Sequence, residues 1–390
     1  MRVTSTQYLT LERARDLLEK LVSFNTINPM GKTFNGPMSV ETDANNFVSN
    51  RFSGLEQDRI SSGPCHESLL IKLPGEDMKL SPILFESHMD TVPADDWMET
   101  ALSPRVENNV LYARGACDDK GSLTAMLLAL EDIWHGDKLP PHPIWMLVAG
   151  DEEYAQTGIK EFRERGDTLA LGIFGEPTRL QPVVQHKGTV RWDIEVHGRS
   201  AHTSRPELGV NAIYFAMSAI AELELLQNEL QLKHKNALMT GPMLTVTMIK
   251  GGRTRNAVPD LCTLSIDHRV VPGMDPMMAR KTVINRLEKI ENASFTHKTP
   301  QLITPPLATN PENSACQTIL KICRKHQNNI ELRGEPYGTD AAWIADKAPA
   351  LVLGPGDITY AHAIDERIAL DDVVTGAKIY RDIMLTRFTN

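Results

Sequence analysis

The sequence predicts an α/β domain into which a smaller α+β domain is inserted. Three observations support this prediction. The chain of 390 residues is longer than one average domain. Apolar strands alternate with helices along its first part, which indicates an α/β sheet with a site at its strand ends. The pattern changes after Pro182 and changes back near Thr299, so we assign residues 1–181 and 299–390 to the larger domain and residues 182–298 to the inserted one.

Helices and strands follow one another in the first part of the chain. Leucines at helical spacing predict a helix from Thr10 to Val22. The segment SPILFESHMDTVP predicts a short strand over Ile83 to Phe85 that ends in polar residues. A second helix is predicted from Gly121 to Trp134, and further strands are predicted in PIWMLVAG and LALGIFGEP.

The inserted segment has a different pattern. TVRWDIEVHG, LTVTMIKGG and LCTLSIDHRV alternate in polarity, as half-buried strands do, and GVNAIYFAMSAIAELELLQ and PMMARKTVINRLEKIE have helical periodicity. Two helices on one face of a mostly antiparallel sheet form an α+β unit. Beyond this segment, SACQTILKICRKH predicts a helix and APALVLGPG predicts a strand, which return the chain to α/β character.

Charge and cysteine content limit the classes of partner and the compartment. The net charge is −9 and no block of lysine and arginine stands out, so we expect neither nucleic acid nor an anionic membrane as a partner. The five cysteines form no C-x-x-C pair, which favours free thiols in a reducing compartment. The N-terminal stretch is typical of an amphipathic helix rather than a signal peptide. No apolar run approaches the ~20 residues of a membrane span, so we expect a cytoplasmic protein.

The segment HMDTVP places His88 and Asp90 two residues apart at a strand end. Side chains at positions i and i+2 of an extended chain point the same way. His88 can therefore bind a metal while Asp90 accepts its second ring N–H, the usual support for a metal-bound histidine. The triplet alone is also typical of surface loops and of ordinary hydrogen bonds.

The segment GACDDKG precedes the long helix, with Gly115 and Gly121 on either side of a tight turn. Asp118 and Asp119 lie at the predicted helix start, where negative charge is favoured. One interpretation is an N-cap with a solvated neighbour. The other is a carboxylate that bridges two cations.

Further candidate ligands follow later strands. Glu152 and Glu153 come after PIWMLVAG, Glu176 comes after LALGIF, and His362 lies in YAHAIDE. Adjacent carboxylates at the edge of a core are costly to bury without a compensating charge. This mixture of nitrogen and oxygen ligands suits zinc, with manganese or cobalt as alternatives. We therefore predict a dinuclear metal centre in which one glutamate of the Glu-Glu pair binds metal and the other handles a water proton.

Five segments occur in a fixed order: HMDTVP, GACDDKGS, AGDEE, GEPT and a histidine before D-E-R. Together they resemble the metallopeptidase family of acetylornithine deacetylase, succinyl-diaminopimelate desuccinylase, aminoacylases and carboxypeptidase G, over nearly the whole chain. The resemblance implies a zinc-hydrolase catalytic domain with a central mixed sheet flanked by helices, and an inserted α+β lid domain used for dimerisation. It also implies a homodimer that binds one or two zinc ions per chain, with Co²⁺ or Mn²⁺ as substitutes.

Carried over position by position, the resemblance implies a ligand set. His88 and Glu176 resemble the ligands of one metal, Glu153 and His362 resemble those of the other, and Asp118 resembles the bridge. The family pattern D-x-K-G selects Asp118 rather than the aspartate that follows it. The peptide bond after the bridging aspartate is cis in this family.

Two further residues resemble the catalytic ones. Asp90 resembles the residue that orients His88, and Glu152 resembles the general base. Metal-bound water has a lowered pKa. The base then accepts a proton from the attacking water and passes it to the leaving amine.

Segments of the inserted domain resemble the family's substrate contacts. His202, in GRSAHTSRP, resembles a lid histidine that reaches across the dimer to the substrate carbonyl. Asn256 resembles a substrate contact, and Arg269 resembles a residue that takes the substrate carboxylate by a two-pronged hydrogen bond. The pocket-lining loop of the family corresponds here to Gly338, Thr339 and Asp340.

One departure from the family pattern limits the range of substrates that we expect. His186 and Lys187 stand where the succinyl-diaminopimelate enzymes carry paired arginines, and H-K-G resembles acetylornithine deacetylases. Asp340 stands where the enterobacterial-type deacetylases carry glutamate. We predict an amidohydrolase of amino-acid metabolism that removes an N-acyl group from an amino acid. The alternatives within the family are a dipeptidase or carboxypeptidase that acts on a short peptide, and a desuccinylase.

Two alternatives come from other classes. A metal-free binding protein is disfavoured because the ligand set and the base are all present. A nucleotide-dependent α/β enzyme is disfavoured because no G-x-G-x-x-G or Walker sequence follows a strand.

Overall fold

The structure, a computed structural model, describes residues 8–32, 39–63, 65–95 and 97–388. The helices predicted around Thr10–Val22 and Gly121–Trp134, and in the later segments, are confirmed. Four further helices were not predicted from the sequence: Thr42–Arg51, Met98–Ala101, Thr157–Glu164 and Leu370–Met384. The α-helices of the described residues are α1 (Leu11–Val22), α2 (Thr42–Arg51), α3 (Met98–Ala101), α4 (Lys120–Trp134), α5 (Thr157–Glu164), α6 (Ala212–Lys233), α7 (Pro276–Leu287), α8 (Ser314–His326) and α9 (Leu370–Met384).

The strands are shorter on average than the helices and more numerous. Those of the described residues are β1 (Glu56–Ser61), β2 (Glu67–Leu73), β3 (Ile83–His88), β4 (Arg105–Glu107), β5 (Val110–Tyr112), β6 (Ile144–Ala149), β7 (Leu171–Phe174), β8 (Val183–His186), β9 (Gly188–His197), β10 (Met243–Gly251), β11 (Leu261–Val270), β12 (Ser294–His297), β13 (Leu302–Thr304), β14 (Leu307–Ala308), β15 (Arg333–Glu335), β16 (Ala350–Val352) and β17 (Arg367–Ala369).

The chain divides into two compact units. The first contains the chain up to Val184, then Thr309–Arg333 and the chain from Thr339 onward. The second contains Gln185–Ala308 and Gly334–Gly338. The fold is thus mixed α/β, with a large sheet in the first unit. No helix among the described residues is both long and apolar enough to cross a membrane.

The main sheet of the first unit is mixed. Its strands run in the order β1-β2-β6-β3-β7-β16, of which β6, β3, β7 and β16 are parallel to one another. The strands β1 and β2 are antiparallel neighbours at one edge. The side chains of β3 and β7 are buried throughout, as expected for parallel strands covered by helices on both faces. This explains why β7 is continuously apolar rather than alternating, and why β3 is apolar from Ile83 to Phe85 before its polar end.

Helices of the first unit bury their apolar faces against this sheet. Helix α1 begins after Thr10, whose side chain accepts a hydrogen bond from the N–H of Arg13. Helix α4 is buried over nearly its whole length, from Lys120 to Ile133. A buried helix of this kind needs no polar face, which is why LTAMLLAL carries no charge.

The second unit is built on an antiparallel sheet. Its strands run in the order β10-β11-β9-β12, and β13 also pairs with β9. The alternating burial of β9 and β11 matches their alternating sequences. The core lies between the sheet and the two helices, with Trp192, Leu223 and Val283 among its members.

Candidate metal centre

Three parallel strands bring acidic residues and a histidine to one edge of the main sheet. His88 is the last residue of β3, and it pairs in register with Ala149, the last residue of β6. Glu152 and Glu153 follow β6 directly, and Glu176 follows β7. Because the carboxyl ends of parallel strands meet at one edge, side chains far apart in sequence lie together here.

Asp118 lies between two histidines. Its Oδ1 is 3.1 Å from Nε2 of His88, and its Oδ2 is 3.2 Å from Nε2 of His362. The same nitrogen of His362 is 3.2 Å from Oε2 of Glu153. One carboxylate thus offers a separate oxygen to each side, which is the arrangement a bridging ligand requires.

Two groups of potential ligand atoms overlap at His88. His88, Asp118 and Glu153 each offer one atom within 4.8 Å of the others, and so do His88, Glu152 and Glu176. The structure therefore brings together all five residues predicted as metal ligands, along with the predicted base. It does not separate Glu152 from the ligands by distance alone.

The acidic groups of the site are costly to keep in their charged form. Burial, more than any neighbouring charge, raises the pKa of Glu152, Glu153 and Glu176. Within the described part of the chain, none of these three glutamates forms an ion pair with lysine or arginine. Two or more buried carboxylates at such close range require a compensating cation.

The histidines supply that positive charge as protons. Hydrogen bonds with Asp118 and Glu153 raise the pKa of His362 to about 10. Burial acts to lower the pKa of His88, but hydrogen bonds with Asp118 and Asp90 raise it well above its usual value. Burial likewise acts to raise the pKa of Asp118, and hydrogen bonds from both histidines lower it instead.

This donor set fits divalent metal ions. Two imidazole nitrogens and several carboxylate oxygens are the ligands that zinc takes in hydrolytic sites. Oε1 of Glu153 is buried and has no hydrogen-bond partner among the described residues, although such an atom normally has one. A metal ion would replace the protons on the histidines and complete the coordination of that oxygen.

Asp90 supports the loop after β6 as well as His88. Nδ1 of His88 donates to the main-chain oxygen of Asp90 at 2.9 Å, while the Asp90 carboxylate lies 3.6 Å from that nitrogen. The two carboxylate oxygens accept the main-chain N–H groups of Glu152 and Glu153, at 3.1 and 3.2 Å. Asp90 therefore fixes the ring of His88 through its backbone and the acidic loop through its side chain.

Asp119 is not the side-chain cap of helix α4. It occupies the N-cap position, but its side chain makes no capping hydrogen bond. Instead its Oδ2 accepts the hydroxyl of Ser87 at 2.5 Å, and burial raises its pKa to about 7. The capping interpretation of this aspartate is therefore wrong. The peptide bond between Asp118 and Asp119 is cis.

Two residues that the sequence analysis did not single out support the site. Oε1 of Glu366 accepts the N–H groups of Cys117 and Asp118, at 2.9 and 3.0 Å, and Glu366 is also paired with Arg114. Gln156 donates to Oε1 of Glu152 at 3.0 Å. Glu366 stands in the D-E-R that follows His362, so its place in the motif was the available signal. Nothing in the sequence around Gln156 indicated its contact.

The remaining predicted residues of the inserted segment lie in the second unit. The segments of His202 and Asn256 are paired, since the N–H of Thr203 donates to the oxygen of Asn256 at 3.1 Å. Arg269 is held by Asp267, with Nε of the arginine 3.0 Å from a carboxylate oxygen. His202 and Asn256 are thus neighbours within this unit, and the guanidinium of Arg269 is oriented by an acidic residue.

The loop Gly338–Asp340 spans the sequence boundary between the units. Gly338 belongs to the second unit, and Thr339 and Asp340 belong to the first. Asp340 is buried, neither of its carboxylate oxygens has a hydrogen-bond partner, and burial raises its pKa to about 8.

His186 and Lys187, which stand in place of the paired arginines of the succinyl-diaminopimelate enzymes, are buried in the second unit. Lys187 donates from Nζ to Oγ1 of Thr240 at 3.0 Å and to the oxygen of Gly241 at 2.7 Å. Its ammonium group therefore holds a turn of its own unit. Burial lowers the pKa of His186 to about 4, so its ring is neutral.

Comparison with known proteins finds related sequences over most of the chain. Residues 84–386 match the model of peptidase family M20/M25/M40. The acetylornithine deacetylase of Pectobacterium carotovorum strain PC1 is 34% identical over 294 residues, which cover 73% of this chain and 75% of that protein. The acetylornithine deacetylase of Salmonella paratyphi B is 32% identical over 303 residues, covering 73% and 74%.

Solved structures share the fold over nearly the whole chain. The aminopeptidase PepT of Bacillus cereus superposes with a TM-score of 0.78 at 18% identity, covering 97% of this chain and 99% of that one. The M20 family metallo-carboxypeptidase Sso-CP2 of Sulfolobus solfataricus gives a TM-score of 0.76 at 19% identity, covering 95% and 98%. At these identities the likeness establishes the fold alone.

Proposed function

The chain belongs to peptidase family M20/M25/M40 and is therefore a metal-dependent hydrolase of amide bonds, and on this premise we propose that it removes the acyl group from an N-acyl amino acid. Two of its bacterial relatives are acetylornithine deacetylases, which supports an N-acetyl substrate. Lys187 supports it too, because its ammonium group is engaged within its own unit rather than offered to a second substrate carboxylate.

The observation that carries the proposal is the cluster of His88, Asp118 and Glu153 with its neighbours. In the proposed site, His88 and Glu176 hold one ion, Glu153 and His362 hold the other, and Asp118 holds both. Each of the two ions then has one imidazole and at least two carboxylate groups. Such a set suits zinc, and we propose Zn²⁺ as the natural metal, with Co²⁺ or Mn²⁺ as substitutes.

Glu152 is the proposed general base. When bound, the metal ions polarise the amide carbonyl and lower the pKa of a water molecule. Glu152 accepts the proton of that water as its oxygen attacks the carbonyl carbon, and then delivers it to the nitrogen of the leaving amine. Burial raises the pKa of Glu152, which suits a group that must both take and return a proton near neutral pH.

Gln156 orients this base. Its amide donates to Oε1 of Glu152 at 3.0 Å, and its own oxygen accepts the indole N–H of Trp343 at 2.9 Å. The second oxygen of Glu152 stays available for the water proton. A base held at one oxygen keeps its geometry through the reaction.

We also propose residues that contact the substrate. We assign His202 to the substrate carbonyl, where a donor stabilises the developing negative charge. We assign Arg269 to the substrate carboxylate, because its guanidinium is already oriented by Asp267. Asn256, Gly338 and Thr339 are assigned to the walls of the substrate pocket.

Asp340 is the proposed contact for a positively charged substrate group. Both of its oxygens are buried without a partner, and burial raises its pKa to about 8. An amine placed beside it would keep the carboxylate ionised and would satisfy its oxygens. This favours an amino acid with a cationic side chain over a neutral one.

A homodimer is the proposed assembly. The strand β10 lies at the edge of its sheet, and its Met248 and Ile249 are 66% and 56% exposed. Tyr214 and Met217 of helix α6 are 68% and 64% exposed. An unprotected apolar edge strand is a site for pairing with a second copy of the same strand. His202 would then reach the substrate of the partner chain.

A cytoplasmic location is proposed from the thiols. The free cysteines of the chain are Cys65, Cys117, Cys262, Cys316 and Cys323. Unpaired thiols of this number are typical of a reducing compartment.

A substrate panel with and without metal tests the proposed function. Purified protein, freed of metal and then supplied with Zn²⁺, is assayed against N-acetyl, N-formyl and N-succinyl amino acids and dipeptides. We expect the highest kcat/KM for an N-acetyl amino acid with a cationic side chain, such as N-acetylornithine, compared with N-acetylnorvaline as the neutral control. Preferred cleavage of dipeptides would move the protein to the peptidase alternative. No zinc-dependent hydrolysis of any member would contradict the proposal.

A further inference from the structure

We propose that Asn28 is a positioning residue: its side-chain amide ties the loop that carries Glu152 and Glu153 to Asp90, and His66 extends the tie to Glu41. The proposal rests on the proposed function, because it concerns the residues assigned there as base and metal ligand. It adds a support for those residues that lies far from them in sequence.

The amide of Asn28 joins two carboxylates. Its Nδ2 donates to Oδ2 of Asp90 at 2.8 Å and to Oδ1 of Asp151 at 2.9 Å. Asp90 in turn accepts the N–H groups of Glu152 and Glu153. The first part of the loop is therefore held twice, through the side chain of Asp151 and through the N–H groups of Glu152 and Glu153 that follow it.

Asn28 is itself fixed on all sides. Its N–H donates to the oxygen of Thr91 at 2.8 Å, and its Oδ1 accepts the N–H of Met30 at 2.8 Å. Its side chain is 1% exposed. An amide with its oxygen already engaged must turn its two N–H groups toward the acids.

The loop needs such restraint because its backbone is strained. Asp151 has a φ of 64° and Gln156 has a φ of 55°, in the left-handed region that non-glycine residues rarely occupy. The N–H of Gln156 donates to the oxygen of Asp151 at 2.6 Å. Contacts from outside the loop must stabilise this unfavourable backbone conformation.

His66 continues the network on the far side of Asp151. Its Nε2 is 3.5 Å from Oδ1 of Asp151, and its Nδ1 is 2.6 Å from Oε1 of Glu41. Glu41 is fully buried and also accepts the N–H of Glu67 at 3.0 Å. Donors thus alternate with acceptors in the network. Asn28 lies between Asp90 and Asp151, and His66 lies between Asp151 and Glu41.

The chemistry of this position selects asparagine. A neutral group with two N–H donors on one nitrogen can serve two carboxylates at once. Aspartate has nearly the same shape, but it has no N–H and would place a third negative charge between the other two. If only the shape of the side chain mattered, the substitution Asn28→Asp would be tolerated. If its N–H donors matter, the same substitution disrupts the network.

The test compares Asn28→Asp and Asn28→Ala with the wild-type protein and with Asn45→Ala as a matched control. Asn45 is equally buried, but its amide donates to the main-chain oxygen of Glu67 at 2.8 Å rather than to carboxylates. The readouts are kcat, KM, the zinc affinity of the metal-free protein by chelator competition, and the midpoint of thermal unfolding.

We expect kcat or zinc affinity to fall about 10- to 100-fold in both Asn28 variants, as for other supports of metal ligands. We expect the loss in Asn28→Asp to be at least as large as in Asn28→Ala, with KM within twofold of the wild-type value. The Asn45→Ala variant should keep kcat and zinc affinity within about threefold of wild type. Wild-type activity and zinc affinity in Asn28→Asp would overturn the proposal, and so would equal losses in Asn28→Ala and Asn45→Ala. A wild-type protein that binds no zinc would instead contradict the proposed function.

Discussion

The contacts of single residues distinguish the roles proposed for Glu152 and Glu153. Glu152 and Glu153 are adjacent, both are half-buried, and both lie within reach of His88. Their contacts separate them: Glu153 faces His362, whereas Glu152 is held by Gln156. On this basis we assign Glu153 as a metal ligand and Glu152 as the base.

The variant Glu152→Gln should keep its metal and lose its turnover. Glutamine has the same size but cannot accept a proton, so kcat should fall about 10²- to 10⁴-fold, the usual contribution of a general base. The measurement is kcat together with zinc content by elemental analysis. A kcat within tenfold of the wild-type value would show that another group accepts the proton.

Gly121 shows a local packing requirement close to Asp118. A Cβ at this position would lie 2.6 Å from the main-chain oxygen of Ala116. Alanine is normally preferred to glycine in a helix by about 0.5–1 kcal/mol. Overpacking against backbone costs about 1–3 kcal/mol, so the steric effect should outweigh the helix preference.

The variant Gly121→Ala should therefore lower the free energy of unfolding by about 1–2 kcal/mol, measured by urea denaturation. The matched control is Gly376→Ala in helix α9, where the nearest atom is a proline side-chain carbon at 3.3 Å. We expect a smaller loss in the control. Equal stability of the two variants would contradict the steric argument.

Residue-level sequence reasoning located the site but not all of its supports. His88, Glu176 and the Glu-Glu pair stand directly after apolar strands, so their position at a sheet edge could be inferred from the pattern. Asn28 and His66 could not be inferred in this way, because they contact the site only after segments distant in sequence fold together. The sequence left a capping role open for the aspartate pair Asp118 and Asp119, and the structure excludes it for the side chain of Asp119.

At the scale of elements, strand polarity and burial explain what the sequence could predict. The strands β6 and β7 and the first half of β3 are continuously apolar, central and parallel, whereas the alternating strands β9 and β11 have one half-buried face. The strand β1 was not predicted, because its sequence EQDRIS lies at an exposed edge and has little apolar periodicity. Helix α2 has many polar residues and a weak amphipathic pattern, and it was missed for the same reason.

The edge strand β10 carries the prediction about assembly. The variant Met248→Lys places a charge in the proposed dimer surface, so the protein should become monomeric in sedimentation-velocity experiments. Met278→Lys on helix α7 is the matched control, since Met278 is 59% exposed and lies away from that edge strand in sequence. A dimer that survives Met248→Lys, or a wild-type protein that sediments as a monomer, would contradict this assembly.

At the scale of the whole molecule, metal and protons compete for one site. Burial raises the pKa of Asp119 and Glu366 to about 7 and that of Asp340 to about 8 in the metal-free protein. In the unfolded chain such groups titrate near pH 4. Between pH 5 and 8 these three groups therefore bind more protons in the folded state than in the unfolded state.

The metal-free protein should consequently lose stability as the pH rises. Groups with a raised folded-state pKa stabilise the protein fully below their unfolded pKa, and that contribution is lost as the pH passes the folded pKa. His362, with a pKa of about 10, adds a loss of the same sign at higher pH. We expect a lower midpoint of thermal unfolding at pH 8 than at pH 6, and a smaller difference with zinc bound. A midpoint that increases with pH in the metal-free protein would contradict this.

The central claim is that five residues from separate segments hold two divalent ions beside a free glutamate. Calorimetric titration of Zn²⁺ into the metal-free protein tests it most directly, with the variants Glu176→Ala, His362→Ala and Glu152→Gln measured alongside. We expect two tightly bound ions in the wild type and in Glu152→Gln, and one in each of the two ligand variants. Two tightly bound ions in both ligand variants, or none in the wild type, would contradict it.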